Sequence, residues 1–401
     1  MLARTYSEGG VPVFHGTDIE VIQSEAPVGV STHPRPFFGA TIFRIQQEIY
    51  TIDRFICHGA EGQAYSVTQT STGKQFAAKF CINKNSSEVK LLQQMPRRLV
   101  HHPNFLTYEM LILDVSDKFR PAHHIILMEH IPNGELFDLI GCPAKTSEGT
   151  SRRFIHDIIN GMAECYRHGV THRDLKPENL LINERGSIII IDLGHAKRSE
   201  GLARTTTVNQ YGTVAFNAPE ASKRKEYDCE LADVWSLGII AFMLHSKLPP
   251  FSNASGVGQF ADCSGPDNEP FWRKINSSGW YPAFPETLVN FVNALWRDDP
   301  ADRPTFEQLE SAIRGDPAII SEFPGLAWLA QPVNCSSDFM DELRESCPGK
   351  TFSIDEVVER PCALDSSEEI QQPEGVHQHN RRDDKQPLVH TDPPARQPKR
   401  W

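Results

Sequence analysis

Nine cysteines are scattered through this chain, and no two stand as a Cys-x-x-Cys pair. That spacing excludes a zinc ribbon or a disulfide framework, and it leads us to expect free thiols in the cytoplasm or nucleus. Long hydrophobic runs are also lacking. The longest, around Leu237 to Leu244, is too short to span a bilayer and reads as a buried helix. Met1 to Gly10 has no apolar stretch behind a basic start, so no secretory signal is expected. Leu2 stands where N-myristoylation requires glycine. Positive charge is in deficit: 40 Lys and Arg face 52 Asp and Glu, a formal net charge of −12. Phosphate binding needs a basic footprint, so neither nucleic acid nor a membrane is expected as a partner.

The composition is otherwise that of a globular protein. Hydrophobic residues make up 39% of the 401, enough for one large or two ordinary domains. Residues 1–45 lack periodicity and contain pieces such as His33-Pro34-Arg35-Pro36, so they read as an extension. Residues 46–131 read as mostly sheet with one helix. Tyr50 to Ile56 alternates, Ala64 to Thr68 and Gln75 to Cys81 follow as strands, and Glu88 to Met95 has helical spacing behind Ser86 and Ser87 as caps. Residues 132–314 read as helical, with Val234 to Leu244 apolar nearly all round and therefore central. Residues 315–401 read as a tail that is largely disordered, with one isolated apolar patch from Phe323 to Leu329.

The chemistry is densest in His172-Arg173-Asp174-Leu175-Lys176-Pro177-Glu178-Asn179. This loop supplies a carboxylate to take a hydroxyl proton, an ammonium to neutralise a migrating phosphoryl group, and an amide oxygen suited to Mg²⁺. A solvated loop with a helix-capping Asp is the plain alternative for any one of these residues. On this stretch the chain resembles the eukaryotic protein kinases. Further stretches extend the resemblance in the right order from about residue 49 to 314: His58-Gly59-Ala60-Glu61-Gly62, Ala77-Ala78-Lys79, Asp192-Leu193-Gly194, Ala218-Pro219-Glu220 and Asp233-Val234-Trp235.

The resemblance implies an α+β fold of two lobes, a mostly-β N-lobe with one main helix and a mostly-α C-lobe. It implies a serine/threonine kinase using ATP and Mg²⁺, with Asp174, Lys176, Asn179, Lys79 and Glu88 as the catalytic set. Gly59, Gly62, Ala64, Ala77, Lys79, Met128, Glu129, Ile131, Glu135, Leu181 and Asp192 are the implied ATP-binding residues, with Asn179 and Asp192 on the metal. Thr213 and Glu220 belong to the activation segment, and Arg173, Asp233 and Arg303 have structural roles. The resemblance further implies that an upstream kinase, or the chain itself, phosphorylates Thr205, Thr206 or Thr207 to give Arg173 a partner; a flexible Thr-rich loop is the alternative. Glu135 and Glu178 suit a protein substrate with basic residues. The helical lobe is similar to the calcium/calmodulin-dependent group, although no EF-hand loop follows it.

Three departures stand out. Cys57 replaces the first loop glycine, Glu61 takes the tip where an aromatic is usual, and Lys79 and Glu88 are closely spaced. They keep a second reading open, a pseudokinase or scaffold without turnover. A small-molecule phosphotransferase is a third, opposed by the peptide-side motifs.

Overall fold

Alternation along β-strands decides which side chains face which core. In a computed structural model the N-lobe is one nine-stranded sheet, formed by β1 (Thr5–Tyr6), β2 (Pro12–His15), β3 (Ile19–Gln23), β4 (Ile42–Ile45), β5 (Glu48–Gly59), β6 (Gly62–Gln69), β7 (Gln75–Cys81), β8 (Tyr108–Leu113) and β9 (His124–Glu129). The residues described are 5–6, 10–23, 42–59, 61–115, 121–142, 144, 146–199, 205–209, 211–223, 225–250, 269–333, 337–346 and 350. The chain divides into units 1–358 and 359–401. The second unit, and with it the Pro-rich tail read as disordered, lies outside the described residues.

The strand order is β1-β2-β8-β9-β7-β6-β5-β4-β3. The strands β2 and β3 therefore lie seven places apart, yet only Gly16–Asp18 joins them. On a flat sheet seven spacings would separate them by about 34 Å, whereas the link reaches at most about 14 Å. The sheet must curl until its two edges meet. Side chains from both edges and the middle fill the inside: Phe14, Ile19, Phe43, Tyr50, Tyr65, Phe80 and Ile125. Aromatic contacts knit it, with Phe43 stacked on Tyr50 at 5.6 Å and edge-on to Phe80 at 6.1 Å between centroids. Residues 10–23 and 42–45, within the stretch read as an extension, supply both rims, because β2 pairs with β8 and β4 pairs with β5. Such pairing is set by partners far along the chain and leaves no local period.

Gly16 is where the rims meet. A Cβ there would lie 1.9 Å from the Asp114 carbonyl oxygen. Gly16→Ala is expected to lower stability by about 1–3 kcal/mol by overpacking. The urea midpoint measures it, and an unchanged midpoint would show that the closure carries no stability.

The other face of the same strands meets the rest of the molecule. Phe76, Ala78 and Phe80 of β7 point inward, so Ala77, Lys79 and Cys81 point outward. There Lys79 meets Glu88 of α1 (Ser87–Leu92), whose N-cap Ser86 Oγ accepts the Val89 N–H at 3.3 Å. The helix has only six residues and ends at Leu92, short of the Met95 to which the helical spacing ran. A single turn, α2 (Arg97–Val100), follows.

The C-lobe comprises α3 (Leu136–Gly141), α4 (Glu148–Arg167), β10 (Val170–Thr171), the hairpin β11 (Leu180–Ile182) and β12 (Ile188–Ile190), β13 (Lys197–Arg198), β14 (Thr206–Thr207), β15 (Tyr227–Asp228), α5 (Cys229–Ser246), α6 (Glu269–Ser278), α7 (Glu286–Leu295) and α8 (Phe306–Ile313). As predicted, α5 is central. It is the one described helix apolar and long enough to cross a membrane, and 83% of it is buried in the protein.

The expected end of the ordered part near Arg314 requires correction. Beyond it come α9 (Pro317–Glu322), a 3₁₀ turn at Pro324–Trp328 and α10 (Ser337–Ser346). Trp328 is fully buried, stacked on Phe291 at 4.7 Å with the Arg152 guanidinium 4.9 Å from its ring. Its Nε1 donates to Glu148 at 2.8 Å. Phe339, Met340 and Leu343 of α10 are buried too, and Glu342 accepts from Ser147 N and Thr150 Oγ1 at the start of α4. The apolar patch read as isolated is thus part of the main core.

Candidate active site

Strands β5 and β6 meet as a hairpin with Gly59 opposite Gly62. Gly62 lies so close to β7 that a Cβ would come within 2.0 Å of the Phe80 carbonyl oxygen. The tip residue Glu61 accepts the Ser86 hydroxyl at 2.7 Å, tying the hairpin to the N-cap of α1. Sequence reasoning marked Glu61 only as standing where an aromatic is usual and did not foresee this bond. Its only signal was an acid near a capping serine across one turn of sheet.

Lys79 and Glu88 form an ion pair at 2.5 Å. Lys79 Nζ also lies 3.9 Å from Asp192 Oδ1. Burial works against the ammonium but is outweighed by Glu88 and then Asp192, so the Lys79 pKa is raised. Burial pushes Glu88 up, countered in part by Lys79. Burial also acts to raise Asp192, but Lys79 and the Gly194 N–H outweigh it, so this carboxyl is held below its usual value and ionised. Asp192 sits at φ +63°, a strained setting for a non-glycine residue and one often found at functional sites.

Alternation places the small residues of the slot. Ala64 pairs with Lys79, and Ala77 pairs with Met128 at the end of β9. Glu129 N bonds the Thr107 carbonyl, Ile131 is half-buried, and Leu181 bridges Glu135 from the floor. Burial and then the neighbouring Asp138 and Glu178 push the Glu135 carboxyl up.

The catalytic loop hangs from α5. Buried Asp233 accepts the N–H groups of His172 and Arg173 at 3.3 and 3.2 Å, and the Tyr166 hydroxyl at 2.5 Å. Tyr166 was not anticipated from sequence. His172 Nε2 lies 2.9 Å from the Ile191 carbonyl oxygen, while Leu92 and Leu193 are fully buried in the same core. Asp174 is nearly enclosed. Its Oδ1 accepts Thr213 N at 2.9 Å and Thr213 Oγ1 at 3.1 Å. Its Oδ2 meets Lys176 Nζ at 2.8 Å and Asn179 Nδ2 at 3.1 Å. Lys176 in turn donates to Thr213 Oγ1 at 2.9 Å. The structure therefore brings together Asp174, Lys176, Asn179 and Thr213 around one carboxylate, with Lys79, Glu88 and Asp192 as a second cluster.

Glu220 and Arg303 form a bidentate pair at 2.6 and 3.0 Å, and Arg303 Nη1 also donates to the Leu231 carbonyl. The three threonines are placed differently from the other site residues. Thr205 is buried, Thr206 Oγ1 donates to Glu226 at 2.5 Å, and Thr207 Oγ1 accepts Asn209 N at 3.2 Å. The described partners of Arg173 are instead the His195 carbonyl, at 2.6 Å from Nε, and the Tyr211 ring, 3.9 Å from the guanidinium carbon.

Comparison with known proteins agrees with this geometry. Residues 50–312 match the protein kinase domain family. The chain is similar to CBL-interacting protein kinase 11 of Oryza sativa subsp. japonica, 36% identical over 221 residues, which cover 53% of this chain and 42% of that protein. CBL-interacting protein kinase 28 of the same species is 28% identical over 349 residues, or 84% of this chain and 70% of that protein. CBL-interacting serine/threonine-protein kinase 15 of Arabidopsis thaliana is 32% identical over 216 residues, or 51% of this chain and 49% of that protein. The chain spans less than half the length of the first and third of these relatives. With a family match over more than half its residues, the chain belongs to the protein kinase domain family.

Proposed function

We propose that this protein transfers the γ-phosphoryl group of ATP to serine or threonine hydroxyls of protein substrates. The observation that carries the reading is the Asp174 carboxylate, held by Thr213, Asn179 and Lys176 with the Lys79–Glu88 pair formed at the same time. Phosphoryl transfer needs positioning and charge cancellation more than covalent chemistry. Asp174 accepts the proton of the incoming hydroxyl. Lys176, already beside it, faces the phosphoryl oxygens, and Lys79 orients the phosphates nearer the ribose.

The donor set suits Mg²⁺. Asn179 uses its Nδ2 on Asp174, which turns its carbonyl oxygen away, and Asp192 is ionised and partly exposed. Two side-chain oxygens plus nucleotide phosphates and water are the usual environment of this ion, whose charge, when bound, neutralises the phosphate oxygens. Glu135 and Glu178, with Asp138 beside them, favour a basic residue near the acceptor. The relatives are named for interacting with CBL, and we extend that to a CBL-type partner for this chain, tested by co-elution of the two proteins. Its expected site of action remains the cytoplasm or nucleus.

Purified protein with Mg²⁺ and ATP is expected to phosphorylate a Ser/Thr peptide carrying basic residues before the acceptor. Mass spectrometry reads the product, and EDTA should abolish it. No turnover across a broad peptide array would favour the scaffold reading instead.

A further inference from the structure

The catalytic loop places a positive charge, Arg173, next to its base. Arg173 is held at φ +65° by the bond from its own N–H to Asp233. Its guanidinium is occupied on two sides. Nε donates to the His195 carbonyl at 2.6 Å, and the Tyr211 ring lies 3.9 Å from the guanidinium carbon, well within cation–π range. Tyr211 is itself anchored. Asn209 Nδ2 donates to its hydroxyl at 3.2 Å, and the Asn209 carbonyl accepts the Tyr227 hydroxyl at 2.9 Å. The Asn209 hydrogen bond and the Arg173 charge hold the Tyr211 phenol below its usual value, as expected for an oxygen facing donors.

The next two residues connect this contact to the chemistry. Gly212, at φ +73°, packs so tightly on the catalytic loop that a Cβ would lie 2.6 Å from the Arg173 carbonyl oxygen and 2.9 Å from Asp174 Oδ1. Thr213 then gives both its N–H and its hydroxyl to Asp174 Oδ1. Three consecutive residues, Tyr211, Gly212 and Thr213, thus lie along Arg173 and Asp174. A shift of Tyr211 off Arg173 would drag Thr213 away from the carboxylate. The threonines upstream are engaged elsewhere: Thr206 faces the Glu226 carboxylate, which would repel a phosphate, and Thr205 is buried.

We propose that Tyr211 is a positioning residue whose aromatic ring, stacked on Arg173, holds the activation segment against Asp174 without any phosphate on that segment. The proposal rests on the kinase reading above. The ring is the working part, so Tyr211→Phe keeps the contact while Tyr211→Ala removes it.

The full chain is expressed as wild type, Tyr211→Phe, Tyr211→Ala and Asp174→Asn, treated with a broad-specificity phosphatase, and checked by mass spectrometry for phosphate on residues 205–211. Peptide phosphorylation, melting temperature and trypsin cleavage within residues 197–225 are then measured. Phosphate-free wild type should be active. Tyr211→Phe should stay within about twofold of it and Tyr211→Ala should lose about tenfold in kcat, with KM for ATP unchanged and cleavage of the segment faster. Wild type that turns over only when residues 205–211 carry phosphate overturns the proposal, as does Tyr211→Ala with full kcat and normal proteolysis. If wild type and Asp174→Asn are equally inert, the kinase reading itself has failed. Proteolysis still tests the ring contact in that case, and unchanged cleavage in Tyr211→Ala overturns it.

Discussion

Asp174→Asn is expected to lower kcat by about 10³-fold, the middle of the range for losing a general base. Asparagine fills the same space and can still accept the Thr213 N–H, so the loop should keep its shape. What it loses is the charge that attracts a proton and that Lys176 and Asn179 now face across 2.8 and 3.1 Å. The residues on the phosphate side, Lys79, Glu88 and Asp192, lie in a separate cluster joined by their own ion pairs. KM for ATP should therefore change little, and the melting temperature should shift by no more than a few degrees. Steady-state kinetics with a basic peptide, beside a thermal melt, make the measurement. A variant retaining a tenth of wild-type kcat would remove Asp174 from its assigned role.

A chain cut after Arg314 is expected not to fold. Read from sequence alone as a largely disordered tail, residues 315–401 would be dispensable for folding. The structure makes the cut a test of stability. The cut deletes Leu326, Trp328, Leu329, Phe339, Met340 and Leu343, each at most 4% exposed. It leaves the face of Phe291 that Trp328 covers open to water. It also strips Arg152 of the Gln331 side chain and the Pro332 carbonyl, leaving a largely buried guanidinium with Glu148 as its remaining described acceptor. Losing one buried Trp or Phe costs about 3–5 kcal/mol, and whole domains are stable by only about 5–15 kcal/mol. Loss of the cooperative melt in circular dichroism is the expected result. A chain ending at Lys350 keeps every buried group named here and should melt as the full chain does. A cooperative melt of the 1–314 chain within a few degrees of the full chain would refute the docking.

The motif residues were legible because phosphoryl transfer dictates residue type and order within short loops. The structure brings Lys79 beside Asp192, Asn179 onto Asp174, Asp233 onto the His172 N–H, and Glu220 onto Arg303. The presence of α1 was legible too, although its helical spacing ran on to Met95 and the helix stops at Leu92. What escaped is held by partners distant in sequence. The pairing of Val13 with Leu111 has no local periodicity. The apolar side chains of α10 are three among charged neighbours, too few to distinguish the helix from a polar tail. Tyr211 escaped for another reason: attention to phosphate acceptors led to the hydroxyls of Thr205, Thr206 and Thr207, while the partner of Arg173 is a ring.

The closed sheet also sets an order of assembly. During synthesis β1 and β2 emerge well before β8, the strand that joins them to the rest of the sheet, which follows β2 about a hundred residues later. Until then the inward Phe14 of β2 has no core to enter, and that strand's only partner is the two-residue β1. The N-lobe cannot finish when its own central strands are complete. It must wait for β8 and β9, then draw residues 10–23 back across them. Contacts of that sequence separation form slowly and leave apolar edges exposed meanwhile. Refolding of this protein should therefore be limited by capture of residues 10–23, and a chain that begins after them should show a faster N-lobe phase at the cost of stability.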